Sequence, residues 1–342
     1  MLVTGANGFL GREIVRQLAD SGVTVRAMVR KLPGPEQMHQ NIEYFIGDVT
    51  DASSMHAAVS GIRVIVHAAG LVHQFGRKSS KGNAFQLVNT EGTKTVAEVA
   101  VAYSVQHLIL ISSVAVYGRR ESFAAETAEC HPVDAYGLSK LQAEEEGIRI
   151  AAAAELRLTI LRMATIYGEC DRGNIVRLMQ VIDKRRFVWI GNGSNYKSLI
   201  YIGDAARACV FAATSHPVNH SQMNKTHEIY NVSGPPVTMA QIVRGIAFAL
   251  GREAPSWRIS GPLAISLTRI LAACSLWRGP LARADRTLLK WLSSDVYISD
   301  RFRLEYRFDT QVSLEEGLCR EAAWYRRAQK SGSECSIYQW RH

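Results

Sequence analysis

Three residues have the types and spacing to move a proton beside a redox cofactor: Ser113, Tyr136 and Lys140. Ser113 follows the apolar run His107–Ile111, inside Ser112-Ser113-Val114-Ala115-Val116-Tyr117-Gly118. Tyr136-Gly137-Leu138-Ser139-Lys140 opens a stretch predicted as helix over 135–154, so its Tyr and Lys lie four apart on one face. A free phenol has a pKa of about 10 and is a poor base at neutral pH. A nearby ammonium favours the phenolate; bringing that pKa to about 7 requires roughly 4 kcal/mol of differential stabilisation. Ser113 can bond a substrate hydroxyl or carbonyl. Together these groups could exchange a proton with a carbinol while a nicotinamide accepts or returns hydride.

Such groups need a scaffold that brings a dinucleotide to them. The chain opens MLVTGANGFLG: a short apolar strand, a turn with Gly5, Gly8 and Gly11, then apolar residues at helical spacing through Leu18. A glycine turn between strand and helix lets backbone amides approach a pyrophosphate, aided by the helix N-terminus. A second strand, Val23–Val29, ends in Arg30-Lys31 with no acidic residue at its tip. An acid there binds ribose hydroxyls, whereas an Arg accommodates a 2′-phosphate, so NADP(H) is expected over NAD(H). Asp48, after the strand Ile42–Ile46, is placed either to meet the adenine amino group or to close a turn.

Strand and helix signals alternate to about residue 165: a helix at 52–59, strands at 63–66, 107–111 and 158–161, and long helices at 85–103 and 135–154. This predicts an α/β fold, a Rossmann-type doubly wound parallel sheet with a smaller C-terminal substrate lobe. The rhythm then breaks, and the expected division is 1–166 with 196–232 as the dinucleotide-binding domain, and 167–195 with 233–342 as the lobe. Helices are expected at 174–183, 204–213 and 239–250, and strands at 187–190 and 228–231. The apolar stretch 262–292 is interrupted by Arg269, Arg278, Gly279 and Pro280, too broken to span a bilayer, and reads as amphipathic helices of the lobe.

The 342 residues are 47% hydrophobic and 21% charged, as in an ordinary globular enzyme. The formal charge of +9 is dispersed, with no run of five basic residues, which favours phosphate-bearing small ligands over nucleic acid. The six cysteines are scattered without a CxxC or Cys/His cluster, so neither a metal site nor a disulfide framework is expected. The first strand is expected to begin at the N-terminus, with no signal peptide expected. A cytoplasmic protein is expected.

In this order, TGANGFLG, GDVTD, HAAG, SSVAVYG and YGLSK resemble the extended short-chain dehydrogenase/reductase family, the NAD(P)-dependent epimerase/dehydratase group. The resemblance implies that Ser113, Tyr136 and Lys140 are catalytic. It implies that Gly5, Gly8, Phe9, Gly11, Arg30, Asp48, Val49 and the Ala68-Ala69-Gly70 loop line the cofactor with Tyr136 and Lys140. Asn89 matches a helical Asn near the centre of the family fold and reads equally as a buried, bonded amide. Thr165 stands where nucleotide-sugar epimerases usually carry Asn. Asn174 and Lys197 match segments that meet the substrate diphosphate, each with a structural alternative: a helix cap and a surface lysine. With Ser113, these three form the expected substrate contacts. The run GNGSNYKSLIYIGDAARA is most similar to sugar-modifying members of bacterial polysaccharide biosynthesis. Val114-Ala115 stand where the 4,6-dehydratase branch has an acidic pair, so that route is not expected; Cys130-His131 read as loop residues. The resemblance implies a nucleoside-diphosphate-sugar 4-epimerase, with an NADPH-dependent 4-keto-sugar reductase as the close alternative. A steroid- or flavonoid-type ketone reductase and a non-catalytic dinucleotide-binding module are further alternatives. Dimerisation through the helices at 85–103 and 135–154 is also implied.

Overall fold

The computed structural model describes residues 1–34, 38–39, 41–72, 81–118, 123–215, 217, 226–259, 294–297 and 299–330. The apolar stretch 262–292 and most of the loop expected at 71–83 lie outside the described residues. The chain opens with β1 (Leu2–Thr4), α1 (Phe9–Asp20), β2 (Val25–Val29), β3 (Ile42–Ile46), α2 (Ala52–Val59) and β4 (Val64–His67). The helix expected at 85–103 is three pieces: α3 (Lys81–Phe85), a π-helical turn (Gln86–Glu91) and α4 (Gly92–Ala102). Next come β5 (His107–Ser113), a 3-10 turn (Val114–Tyr117), α5 (Ala135–Ala154), β6 (Arg157–Met163), β7 (Thr165–Tyr167), α6 (Asn174–Asp183), β8 (Trp189–Ile190), β9 (Tyr196–Lys197) and β10 (Leu199–Tyr201). The described chain ends with α7 (Ile202–Thr214), β11 (His227–Val232), β12 (Val237–Thr238), α8 (Met239–Ala249), β13 (Arg258–Ile259), α9 (Arg301–Tyr306) and α10 (Leu314–Lys330).

Seven strands form one parallel sheet in the order β11-β6-β5-β4-β1-β2-β3, the doubly wound α/β arrangement. Strand alternation sends neighbouring side chains to opposite faces. Val3, Val66, Ile109 and Ile111 therefore pack with Ile14 and Leu18 of α1 and Cys209 of α7. Leu2, Ile65, Leu108 and Leu110 pack with Met55, Val96 and Ile150 on the other face. The chain runs outward from β1 to β3 and returns at β4, on the other side of β1. That reversal opens a crevice beyond the carboxyl ends of β1 and β4, where ligands of such sheets bind.

A third apolar cluster joins Tyr167, Met179, Trp189, Ile242, Ile246, Leu318 and Tyr325 from β7, α6, β8, α8 and α10. It also takes Leu199, Tyr201 and Ile202, from the stretch expected to belong with the large sheet. Its strands form three two-stranded pairs, β7 with β10, β9 with β12 and β8 with β13. No helix of the described residues is long and apolar enough to cross a membrane.

Candidate active site

The glycine turn and the loop after β4 are built against each other. Gly5 has φ +65°, and a Cβ there would lie 2.7 Å from the Ala69 backbone. A Cβ on Gly11 would lie 2.1 Å from the Gly5 carbonyl oxygen, so α1 packs onto the turn at backbone distance. Gly8 is the N-cap of α1 and supplies no side-chain cap. The first amides of the helix therefore meet the turn's mouth without a competing side-chain acceptor. On the facing loop, Ala69 N–H donates to Thr4 Oγ1 at 3.2 Å, and Ala68 is half-buried. This cradle fits a pyrophosphate: backbone donors, a helix N-terminus, and a turn packed so closely on its neighbours that only glycine is accommodated.

The expected adenosine-side residues divide. Asn7 Nδ2 donates to the Lys31 carbonyl at 2.8 Å, tying the end of β2 to the turn and leaving the Arg30 side chain exposed beside it. Asp48 Oδ1 accepts from the amide and hydroxyl of Thr50 at 2.9 and 2.8 Å, so the side chain closes a turn, one of its two expected roles. Val49 is buried against Gly92. The Phe9 side chain packs with the third apolar cluster. It also lines a cleft of about 840 Å³ that includes none of Ser113, Tyr136 and Lys140; only its backbone stays with the turn.

Ser113, Tyr136 and Lys140 do converge. The Tyr136 phenol is hydrogen-bonded to Ser113, and its ring meets Phe85 edge-on at 6.0 Å. Ser113 Oγ also accepts from Ala115 N–H at 3.2 Å, which starts the 3-10 turn. Asp134 caps α5 by accepting from Gly137 N–H at 2.8 Å, fixing the turn that carries Tyr136. Lys140 Nζ is buried and donates to the Ile111 carbonyl at 2.6 Å, lying 3.5 Å from where a Gly70 Cβ would be. Burial brings the Lys140 pKa down to about 8, against the opposing pull of the Glu144 carboxylate.

One expectation is corrected in detail. Burial raises the Tyr136 phenol above its ordinary pKa, the Ser113 bond pulls it back, and Asp134 pushes it up again. The Lys140 ammonium donates to the Ile111 carbonyl, and the protein alone does not lower the phenol as the four-residue spacing predicted.

A buried polar chain, largely invisible in the sequence, fixes the floor of the crevice. His67 bridges Thr4 Oγ1 at 2.7 Å and Thr93 Oγ1 at 3.1 Å; burial and the Lys140 charge lower its pKa to about 3, so the imidazole is neutral. Asn89 sits in the π-helical turn, accepts from Leu71 N–H at 2.7 Å and donates to Ser139 Oγ at 2.9 Å. It is thus the buried, bonded amide that was one of its two readings, locking the loop after Gly70 to α5. Behind Ser113, Glu144 pairs with Arg162 at 2.6 Å with both side chains buried, and Ser112 Oγ donates to Glu144.

The expected substrate contacts lie on other elements. Thr165 is exposed at the start of β7. Asn174 is exposed at the first position of α6, the N-cap being Gly173; Asp171 accepts from Gly173 N–H at 2.6 Å and from the α6 amide of Val176 at 3.4 Å, so the cap alternative for Asn174 falls. Lys197 is no surface lysine: it is largely buried and paired with Asp295 at 2.5 Å. Cys130 is half-buried and His131 is exposed beside Glu129, consistent with a loop. No group of three potential metal ligands occurs among the described residues.

Fold and site geometry define a dinucleotide-dependent enzyme of the doubly wound α/β type, and residues 1–233 match the model of the NAD dependent epimerase/dehydratase family. The chain belongs to that family. It is 31% identical over 268 residues to the N-acetyl-α-D-glucosaminyl-diphospho-ditrans,octacis-undecaprenol 4-epimerase of Escherichia coli O157:H7, covering 77% of this chain and 76% of the relative. It is 27% identical over 340 residues to the 2-alkyl-3-oxoalkanoate reductase of Stenotrophomonas maltophilia, covering 94% and 97%. The fold matches the UDP-glucuronic acid 4-epimerase of Bacillus cereus, solved with UDP-glucuronic acid and NAD, at a TM-score of 0.74 and 18% identity over 95% of this chain and 98% of that one.

Proposed function

We propose that the protein is a nucleoside-diphosphate-sugar 4-epimerase of polysaccharide biosynthesis. The observation that carries the reading is the wall of Ser113, Tyr136 and Lys140 beside the glycine cradle. Gly5, Gly8 and Gly11 would hold the pyrophosphate of a dinucleotide, with Arg30 on a 2′-phosphate, Asp48 and Val49 toward the adenine, and Ala68–Gly70 along the chain. NADP(H) is favoured over NAD(H). When bound, the dinucleotide supplies a hydride acceptor and donor and, oxidised, a positive charge. Tyr136 takes the proton of the sugar's C4 hydroxyl while Ser113 holds that oxygen, and Lys140 holds the nicotinamide end. The 4-keto sugar would then rotate and take hydride back at C4 on its other face while Tyr136 returns the proton to the C4 oxygen, so the reaction is redox-neutral. Thr165, Asn174 and Lys197 contact the substrate, Asn174 and Lys197 at its diphosphate end, and the substrate lobe is made of 167–195 and 233–342. The enzyme works in the cytoplasm as a homodimer.

A second reading, reduction of a ketone by NADPH, is supported by the reductase relative that aligns over nearly the whole chain and by the basic tip of β2. One panel separates them: UDP-, GDP- and dTDP-sugars, their 4-keto forms and a polyprenyl-diphosphate sugar, read for epimerisation and for NADPH oxidation. Epimerised product without net NADPH loss is expected; stoichiometric oxidation would select the reductase. Tyr136→Phe should lower turnover by about 10²- to 10⁴-fold with dinucleotide binding intact. Unchanged turnover in that variant defeats both readings.

A further inference from the structure

The end of β5 is tied to α5 by three successive contacts. Ile111 offers its carbonyl to Lys140, Ser112 donates its hydroxyl to Glu144, and Ser113 is bonded to Tyr136. The three α5 residues are four apart and share one helix face. Two of these ties belong to the proposed chemistry. The third, Glu144, is bonded to Ser112 and Arg162.

Glu144 is itself held from behind. Arg162, on β6, donates to both carboxylate oxygens, at 3.0 Å from Nε to Oε1 and 2.6 Å from Nη2 to Oε2. Arg162 Nη1 reaches the Tyr117 hydroxyl at 2.9 Å, and that hydroxyl donates to Asn231 Oδ1 at 2.7 Å. Arg162 and Glu144 side chains are 5% and 2% exposed. A bidentate pair this deep has its geometry fixed from both sides. Glu144 therefore meets Ser112 from a set position and faces Lys140 one helical turn away.

We propose that Glu144 is a positioning residue for the reaction: clamped by Arg162, it sets the end of β5 against α5 and supplies the buried negative charge opposite the Lys140 ammonium. The inference rests on the epimerase reading of the site. Titratable or charged groups around Lys140 are few. β4 contributes His67, which is neutral; α5 contributes Tyr136 and Glu144, with Asp134 at its N-cap; β6 contributes Arg162 beyond Glu144; the π-helical turn contributes the uncharged Asn89 and, exposed at its end, Glu91. Glu144 is the carboxylate whose charge opposes the burial of Lys140, so its loss leaves burial unopposed and Lys140 gives up its proton at lower pH.

The test compares Glu144→Gln, Glu144→Asp and the double variant Glu144→Gln/Arg162→Met as full chains. The double variant removes both buried charges, so no lone guanidinium is left to unfold the protein. Readouts are kcat and KM against pH on UDP-glucose and UDP-N-acetylglucosamine, and NADPH binding against pH by fluorescence. Glu144→Gln and the double variant should lose about tenfold or more in kcat with KM within twofold, and the alkaline limb should fall by about one pH unit. Glu144→Asp, which keeps the charge, should restore the limb. A double variant with the parent's kcat and limb would overturn the proposal, because Glu144 would then serve only to neutralise Arg162. A parent that binds NADPH but turns over no sugar defeats the epimerase reading alone; the shift of the NADPH-binding limb then decides the role of Glu144.

Discussion

Lys140 keeps an ammonium in a place that disfavours it. Burial brings its pKa to about 8, and a carbonyl rather than a carboxylate accepts its nearest hydrogen bond. The charged form therefore dominates below pH 8 and fades above it, and a reaction that needs this ammonium loses kcat/KM from about pH 8 upward. Arg30 tests the other end of the dinucleotide. It is exposed, so little stability rests on it. Arg30→Ala should weaken NADPH binding by about tenfold or more, the worth of one charge-assisted hydrogen bond, and leave NADH binding unchanged. Fluorescence titration of both nucleotides reads this directly, and equal loss for the two would refute the 2′-phosphate role. Ser113, Tyr136 and Lys140 were legible because their spacing is local and their types are chemical. The Lys197–Asp295 pair was not, because 98 residues separate its members and no local pattern joins them. Asn174 misled as a possible cap because the acceptor, Asp171, reaches past Gly173 from outside the helix.

At the scale of elements, length decided what could be read. Helix α5 runs Ala135–Ala154 and α6 runs Asn174–Asp183, both as the apolar spacing predicted. The strands of two or three residues β7, β9, β10, β12 and β13 are too short to show a period, whereas β8 falls within the strand expected at 187–190. The π-helical turn was hidden for another reason: its register change moves Asn89 inward without changing the composition of the helix around it. Helix α10 hides a buried acid in the same way. Glu321 is fully buried with no side-chain partner for its carboxylate, and burial with the neighbouring Asp171 pushes its pKa up to about 9 against the opposing pull of the Gly168 amide. It folds neutral at pH 7, whereas in the unfolded chain it is ionised above about pH 4.5. Folding thus takes up a proton there, and stability falls as pH rises from about 4.5 towards 9. The penalty at pH 7 is about 3 kcal/mol, from about 2.5 pH units at 1.36 kcal/mol each. Glu321→Gln removes it and should raise Tm by about 5 °C at pH 7, with the gain vanishing near pH 4.5. Calorimetry at the two pH values checks both sign and slope; a gain independent of pH would exclude ionisation as the cause.

For the whole molecule, the open question is how α5 is braced on its outer side. The inner faces of α4 and α5 are filled by the sheet, as Val96, Ala100, Ile150 and Ala151 are all buried in one cluster. Outside, Leu87 and Leu138 are 53% and 47% exposed, an apolar pair at the ends of neighbouring helices. Glu91, Glu98 and Glu145 are exposed on the same helices, while Arg149 is already paired with Glu146. An isologous contact through this surface buries the leucines of both copies but brings each acidic set towards its own image. Burial favours the dimer and like charge opposes it, so salt should tighten the association. Raising ionic strength from 0.1 to 1 M shortens the screening length from about 10 to about 3 Å. The dimer dissociation constant should fall by about five- to tenfold over that range, the effect of removing about 1 kcal/mol of repulsion. Sedimentation velocity should show a species of twice the chain mass that Leu87→Arg converts to monomer. A dimer that salt weakens, or that ignores Leu87→Arg, would place the contact on another face and leave α5 braced by the sheet alone.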